Sequence, residues 1–221
     1  MTRVALSGRV AATGRVSISG RVAIPKVQNL VPRSEEFDNG WTQSGLSVAT
    51  NTVDTLDPIG GNTAEKITDS SGGTIHRIYR AVTLGIPPQV VGTLLTCSIY
   101  FKQGTHRHGA VATDGSGASA AIFDLQTGVV TKQPATTTNI ASIENAGNSW
   151  WRCWVTSAAV SQSVSVEFWI PNDDGIAFTY TGTANQTLYI WGSQLTWSNH
   201  PGPYVKTEAS AVNTGRIRWK V

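Results

Sequence analysis

Long apolar runs are absent from this chain of 221 residues. Nothing approaches the roughly 18 consecutive apolar positions of a membrane-crossing helix, so no membrane insertion is expected. Helical stripes are missing as well, and the apolar residues instead recur at every second position. Charge is sparse, at 14% of residues, which suits a rigid β-surface. Cysteine is limited to Cys97 and Cys153. Each sits inside an apolar strand pattern, so both are expected as buried free thiols and not as a disulfide. Near Met1 the apolar residues alternate with arginines, which is not the apolar core of a signal peptide. The expectation is a soluble chain made in a cytoplasm.

Signatures of chemistry are equally scarce. There is no nucleophile elbow, phosphate loop or dinucleotide fingerprint. Glycoside hydrolysis needs two carboxylates across a cleft, whereas Glu35, Glu36, Asp38, Asp54 and Asp57 fall in loops and Glu167 stands alone on a strand. No enzyme activity and no cofactor are expected. His106-Arg107-His108 has metal-like spacing, but no Cys or carboxylate is near it in sequence, so it reads as a solvated loop and no metal is assigned. Asn172-Asp173-Asp174 could help hold calcium; an Asx-rich turn is the simpler reading. Without a helix-turn-helix, zinc-finger or RNA-recognition signature, no nucleic-acid partner is expected.

What the chain does have is a repeated hexapeptide. Residues 1–6, 7–12, 13–18 and 19–24 are near-copies of Ser/Thr-Gly-Arg-Val-Ala/Ser-apolar, and residues 214–219 are a fifth. Val4, Val10, Val16 and Val22 share one strand face with the apolar residue two positions on, and Arg3, Arg9, Arg15 and Arg21 take the other. Gly between units supplies the tight corner, and Pro25 ends the pattern. Four short strands cannot bury a core alone. The missing wall is expected from the C-terminal copy, through Arg216, Ile217 and Trp219, and from identical arms in a symmetric homotrimer. Hexapeptide-repeat acyltransferases are excluded by the small number of copies. Charge follows the same division: residues 1–33 hold six of the 17 basic groups and no acid, leaving 11 basic against 14 acidic groups, or −3, elsewhere. A basic arm on a slightly acidic body suggests docking on an acidic protein surface.

Between the ends, alternation predicts strands at 64–68, 75–84, 94–102, 118–125, 129–132, 150–156, 163–170 and 187–196. Turn-forming clusters separate them, among them 57–61, 69–73, Pro87-Pro88, 115–117, 145–148 and 172–175. The predicted fold is all-β, a jelly-roll β-sandwich with an N-terminal hexapeptide-repeat β-arm joined by a C-terminal strand. The predicted divisions are 1–28 for the arm, 29–212 for the jelly roll and 213–221 for the returning strand. Leu95, Cys97, Ile99, Phe101, Val164, Val166, Phe168 and Ile170 are the predicted core. The opposite phases carry Tyr100, Lys102, Trp150, Arg152, Trp154, Glu167 and Trp169, which places aromatics and charges together on one outer face. Such a face suits a glycan, whose C–H surfaces stack on rings while its hydroxyls bond polar groups. Core, sheet cover or subunit interface is the other reading of the same residues.

Asn29-Leu30-Val31-Pro32-Arg33-Ser34-Glu35-Glu36-Phe37, ending at Trp41, resembles the "NLL-x-x-SE-x-F-x-x-x-W" opening of a domain common in tailed-phage virion proteins. Ala64-Glu65-Lys66-Ile67, Ser98 to Lys102, Phe123-Asp124-Leu125 before Gly128, Asn148 to Cys153, Leu188 to Leu195 and Pro203-Tyr204-Val205 continue the series in order. The resemblance implies a carbohydrate-binding-module-like jelly roll of head-spike fibres, capsid decorations and tail fibres, generally without catalysis. It spans residues 29–212, and it departs where Thr196-Trp197-Ser198-Asn199 replaces an acidic stretch. The expected function is that of a non-enzymatic phage virion-surface structural protein, a homotrimeric capsid decoration docked on capsid or on tail or baseplate proteins. The alternative is a tail fibre or tail-tip receptor-binding protein whose jelly roll binds host-surface glycan. The short arm favours the capsid, because tail fibres need a long shaft for reach.

Overall fold

The computed structural model of the chain describes residues 28–73, 75–84, 92–113, 119–135, 140–159 and 161–213. The hexapeptide arm (Arg3, Val4, Arg9, Val10, Arg15, Val16, Arg21, Val22), the C-terminal copy (Arg216, Ile217, Trp219) and the turns at Pro87-Pro88 and 115–117 lie outside the described residues.

The described residues form an all-β jelly-roll sandwich of two six-stranded sheets plus one short pair. The strands are β1 (Gln28–Asn29), β2 (Thr42–Ser44), β3 (Leu46–Ala49), β4 (Glu65–Asp69), β5 (Arg77–Thr83), β6 (Leu94–Gln103) and β7 (His108–Ala112). They continue as β8 (Ala121–Asp124), β9 (Val129–Lys132), β10 (Ile140–Gly147), β11 (Trp150–Ala158), β12 (Ser163–Trp169), β13 (Thr187–Thr196) and β14 (Val212–Asn213). One sheet runs β10-β11-β6-β13-β4-β3, the other β2-β5-β12-β7-β8-β9, and every pairing is antiparallel.

All eight predicted core residues are buried in the layer between the sheets, four from β6 and four from β12 and the residue after it. Phe37, Ile67, Cys153, Val155, Leu188, Ile190 and Leu195 join them. Cys97 and Cys153 are free and buried, as expected. On β13 the pairing with β6 shifts register between Trp191 and Gln194. The bulge at Gly192-Ser193 absorbs the shift, with Gly192 at φ +64°. That extra residue returns Leu195 to the core phase shared by Leu188 and Ile190 and leaves Trp191 and Gln194 outside.

Several strands escaped the alternation. β7 has no counterpart among the predicted strands, and all five of its residues are buried; a strand covered on both faces has no period to detect. β10 also has no counterpart among the predicted strands, and it runs into the predicted turn at 145–148, whereas the chain turns at Asn148 and Ser149, both at positive φ. Ile75, expected to begin a strand, makes an isolated bridge to Thr179.

The β8–β9 hairpin shows how a short motif holds its geometry. Asp124 accepts hydrogen bonds from the Gln126 and Thr127 amides at 2.9 and 3.3 Å. It also pairs with Arg107 through both carboxylate oxygens. These bonds, that to Arg107 first, hold its carboxyl well below the usual range against the opposing effect of burial. Gly128 stands at φ +70° beneath the Trp151 indole, and a Cβ there would lie 2.1 Å from a ring carbon. Gly128→Ala is therefore expected to cost about 3 kcal/mol, from backbone strain and overpacking together. Urea denaturation checks this through a lower midpoint at unchanged slope.

β1 and β14 pair Gln28 with Asn213 and Asn29 with Val212. They sit beside the last residues of β13, where Leu30 N–H donates to Leu195 O at 2.9 Å and Trp197 N–H to Gln28 Oε1 at 3.0 Å. Thr187, at the other end of β13, lies roughly 30 Å away by strand rise. Both ends of the described chain thus leave from one end of the sandwich.

Candidate functional site

The outer face of the first sheet carries five of the seven predicted glycan residues. Cross-strand register lines up Glu144, Arg152, Tyr100 and Trp191 in one row across β10, β11, β6 and β13. The next row is Trp150, Lys102, Tyr189 and Lys66. Trp154 pairs with Ser98 further along. The Arg152 guanidinium lies 5.2 Å from the Tyr100 ring centre and 3.9 Å from Glu144. Burial raises the Tyr100 phenol and lowers the Arg152 guanidinium relative to their ordinary values.

Glu167 and Trp169 are elsewhere. They lie on β12, in the other sheet, so the seven residues do not share one outer face. Alternation along a strand reports which side a residue takes, not which sheet the strand joins. Glu167 pairs with Arg77 at 2.6 Å, and Arg77 also stacks over Tyr79 and Trp169. Trp169 packs edge-on against Phe178.

The tryptophans are covered, not displayed. Trp150, Trp154 and Trp169 are all buried. Over the first sheet the cover is the loop of residues 50–64. Its Leu56 carbonyl accepts from Trp150 Nε1–H at 3.0 Å, and its Thr63 hydroxyl accepts from Trp191 Nε1–H at 2.8 Å. Lys102 donates to Thr55 at 2.9 Å, and Asp54 accepts from Lys66 at 2.8 Å. Asp57 folds the loop on itself by accepting from the amides of Ile59, Gly61 and Thr63 and from the Thr63 hydroxyl. Burial alone would raise the Asp57 carboxyl, but these donors outweigh it and hold it below its ordinary value. Trp154 is met edge-on by His200 from the loop after β13. What remains partly open is a strip of Tyr100, Lys102, Tyr189 and Lys66, with Glu144 exposed beyond Arg152. Tyr189, Lys66 and Glu144 were not singled out from the sequence, because only cross-strand register brings them beside Tyr100.

The scattered motifs of the phage-like series meet in one buried knot beside this face. Asn29 Nδ2 donates to Ser193 O and Val205 O, and its Oδ1 accepts from Val31 and Leu195 amides. Gln194 donates to Pro201 O and Pro203 O and accepts from Val205 N–H. Tyr204 bonds Ser34 at 2.8 Å and donates to Glu35 at 3.0 Å. Glu65 accepts the Phe37 amide on both oxygens, at 3.1 and 3.0 Å. These residues hold the leading segment onto β13 and β4, so the series describes a scaffold and not a ligand site.

His106 and His108 are a correction. Instead of a solvated loop, both are buried, their ring centres 6.3 Å apart. Asn172 makes the Asx turn, its Oδ1 accepting from Ile176 and Ala177 amides.

No family model matches the chain, and no curated protein matches it. Among solved structures it is similar to the enzymatically active domain of bacteriophage CBA120 tailspike protein 4, at 13% identity and TM-score 0.41 over 76% of this chain. The chain spans only 21% of that tailspike structure. It is also similar to the CBM35 module from Cellvibrio japonicus Abf62, at 13% identity and TM-score 0.35, over 79% of this chain and 98% of that one.

Proposed function

We propose that this chain is a non-enzymatic structural protein of a tailed-phage virion surface, a capsid decoration whose jelly-roll head is carried by a basic, trimerising arm. The observation that carries the reading is the β1–β14 pair, because it brings the two repeat-bearing ends together at one end of the sandwich. A hexapeptide arm and its C-terminal copy leaving side by side can complete one another's apolar stripe, and three such arms complete a symmetric stalk. The outward arginines then meet an acidic capsid surface, and three attachment points give avidity. The sheet-face tryptophans support a structural head, since they are spent on holding cover loops. Among the described residues, four of the six buried acids support a non-catalytic one: Glu167 is paired with Arg77, Asp124 with Arg107, Asp69 with His76, and Asp57 closes its own loop.

The second reading, a tail fibre or tail-tip protein binding host glycan, is favoured by the partly open strip of Tyr100, Lys102 and Tyr189. Electron microscopy of phage particles labelled with antibody to residues 29–212 separates the two. Label over the head is expected; label at the tail tip would replace the capsid reading with the glycan one, and unlabelled particles would overturn both.

A further inference from the structure

Three of the four histidines of the chain lie beneath one connection, residues 171–186 between β12 and β13. This connection is at the end of the sandwich opposite the β1–β14 pair. Its two halves are held differently. Residues 179–186 are fastened by His76 and Asp69. His76 Nε2 faces Tyr180 O at 3.2 Å, and its ring lies 4.4 Å from the Tyr180 ring. Asp69 accepts from the Tyr180 hydroxyl and the Thr183 amide, and its backbone bonds Asn185 and Gln186. Both His76 nitrogens face acceptors, because Nδ1 is 2.8 Å from Gly45 O and 2.6 Å from Asp69 Oδ1.

Residues 171–178 rest on the other two histidines. His106 Nδ1 lies 3.2 Å from Asp173 Oδ1, and 2.7 Å from Gln186 Oε1 of the other half. The His108 ring fits against Gly175, which is at φ +64° and where a Cβ would lie 2.7 Å from a ring carbon. The segment is also attached by Lys132 Nζ donating to Ile176 O at 3.3 Å, by Gln186 Nε2 donating to Asp173 Oδ2 at 3.4 Å, by a bond between His108 and the Asp173 backbone, and by Phe178 on Trp169. The His108 Nδ1 atom is buried without a partner, and so are His106 Nε2 and Trp169 Nε1 under the same segment.

We propose that residues 171–178 are an acid-released cover over Trp169, with His108 as the group whose protonation opens it. A proton on His108 Nδ1 would place a cationic N–H in a buried site with no acceptor, and lifting the cover returns it to water. The groups facing His108 are Asp124 across the β7–β8 pair, His106 and Arg107 on its own segment, and the Asp173 backbone from the cover. The Asp124 carboxylate, which favours the proton most, is already held by Arg107 at 2.8 and 2.5 Å, and the Asp173 backbone bond that also favours it is lost when the cover lifts. Burial keeps the His108 imidazole below its ordinary value of 6.5. With the folded value depressed, the closed form has its full advantage above that ordinary value and loses it as pH falls. The His76–Asp69 end, whose ring nitrogens both have acceptors, stays fastened and acts as the hinge. Opening would uncover Trp169 with Arg77 and Glu167 beside it.

Hydrogen exchange of the full chain, read by mass spectrometry at about pH 7.5 and about pH 5.5 and corrected for intrinsic rates, tests this. In the wild type, peptides covering 171–178 are expected to exchange severalfold faster at the lower pH while those covering 187–196 do not change. His108→Gln is expected to remove the response. Gly175→Ala, whose Cβ collides with the ring, is expected to exchange fast at both pH values. A wild-type cover indifferent to pH, or a His108→Gln protein that responds like wild type, would overturn the proposal. If His108→Gln fails to fold, a Gly175→Ala cover as protected as wild type at the higher pH would overturn it equally.

Discussion

Trp150→Ala is expected to destabilise the head by about 3–5 kcal/mol, the cost of emptying a fully buried aromatic site. Trp150 is buried between Ala64 and Trp191, and its indole N–H holds the Leu56 carbonyl. Removing it also takes away one of the ties between the 50–64 loop and the sheet, leaving those of Trp191, Lys102 and Lys66. A glycan platform behaves differently: alanine there removes ligand binding and leaves the melting transition in place. Thermal or urea denaturation of the variant therefore reads the role of the residue directly. A Trp150→Ala protein that melts like wild type would show that the indole is not a structural keystone.

Glu65 should make the head sensitive to alkaline pH. The carboxyl is buried on the inward phase of β4, next to Ile67, and its oxygens share a single donor, the Phe37 amide. Burial, with the Asp38, Glu36 and Glu35 charges nearby, pushes it up from 4.5 to about 8. A folded-state value above the unfolded one means that the folded protein holds the proton more tightly. That stability is fully present below pH 4.5 and is lost as pH rises through about 8. By about pH 9 the loss approaches about 5 kcal/mol. Glu65→Gln keeps an acceptor for Phe37 and cannot ionise, so its stability is expected to stay level across the same range. Urea midpoints measured at several pH values decide it: if the glutamine variant keeps the wild-type slope, another group is responsible.

How far the sequence could be read follows from where information is local. β9 and β13 begin and end where alternation placed them, and all eight core residues predicted from β6 and the β12 region are buried between the sheets, because a half-buried strand writes its period into its own residues. β7 left no such trace, being buried on both faces. Glu167 and Trp169 were grouped with Tyr100 and Trp150 because phase is visible in a strand but sheet membership is not. The cover over the tryptophans was also hidden, since it depends on contacts such as Trp150 to Leu56 and Trp191 to Thr63, distant in sequence. The ordered motif series did carry long-range information. Asn29 bonding Ser193 and Val205 shows why those pieces occur together, and why they describe a fold better than a site. The burial of His106 and His108 could not be inferred from a His-Arg-His triplet next to a glycine.

The claim at the centre of this account is that the arm makes the chain a trimer from which three heads project. Light scattering of the full chain during size exclusion tests it most directly, alongside a version lacking residues 1–27. The account predicts the mass of three copies of the 23.5 kDa chain for the full protein and a single folded copy for the shortened one. A full chain that elutes as one copy would contradict the trimeric stalk, and a shortened chain that remains three copies would move the contact from the arm to the head.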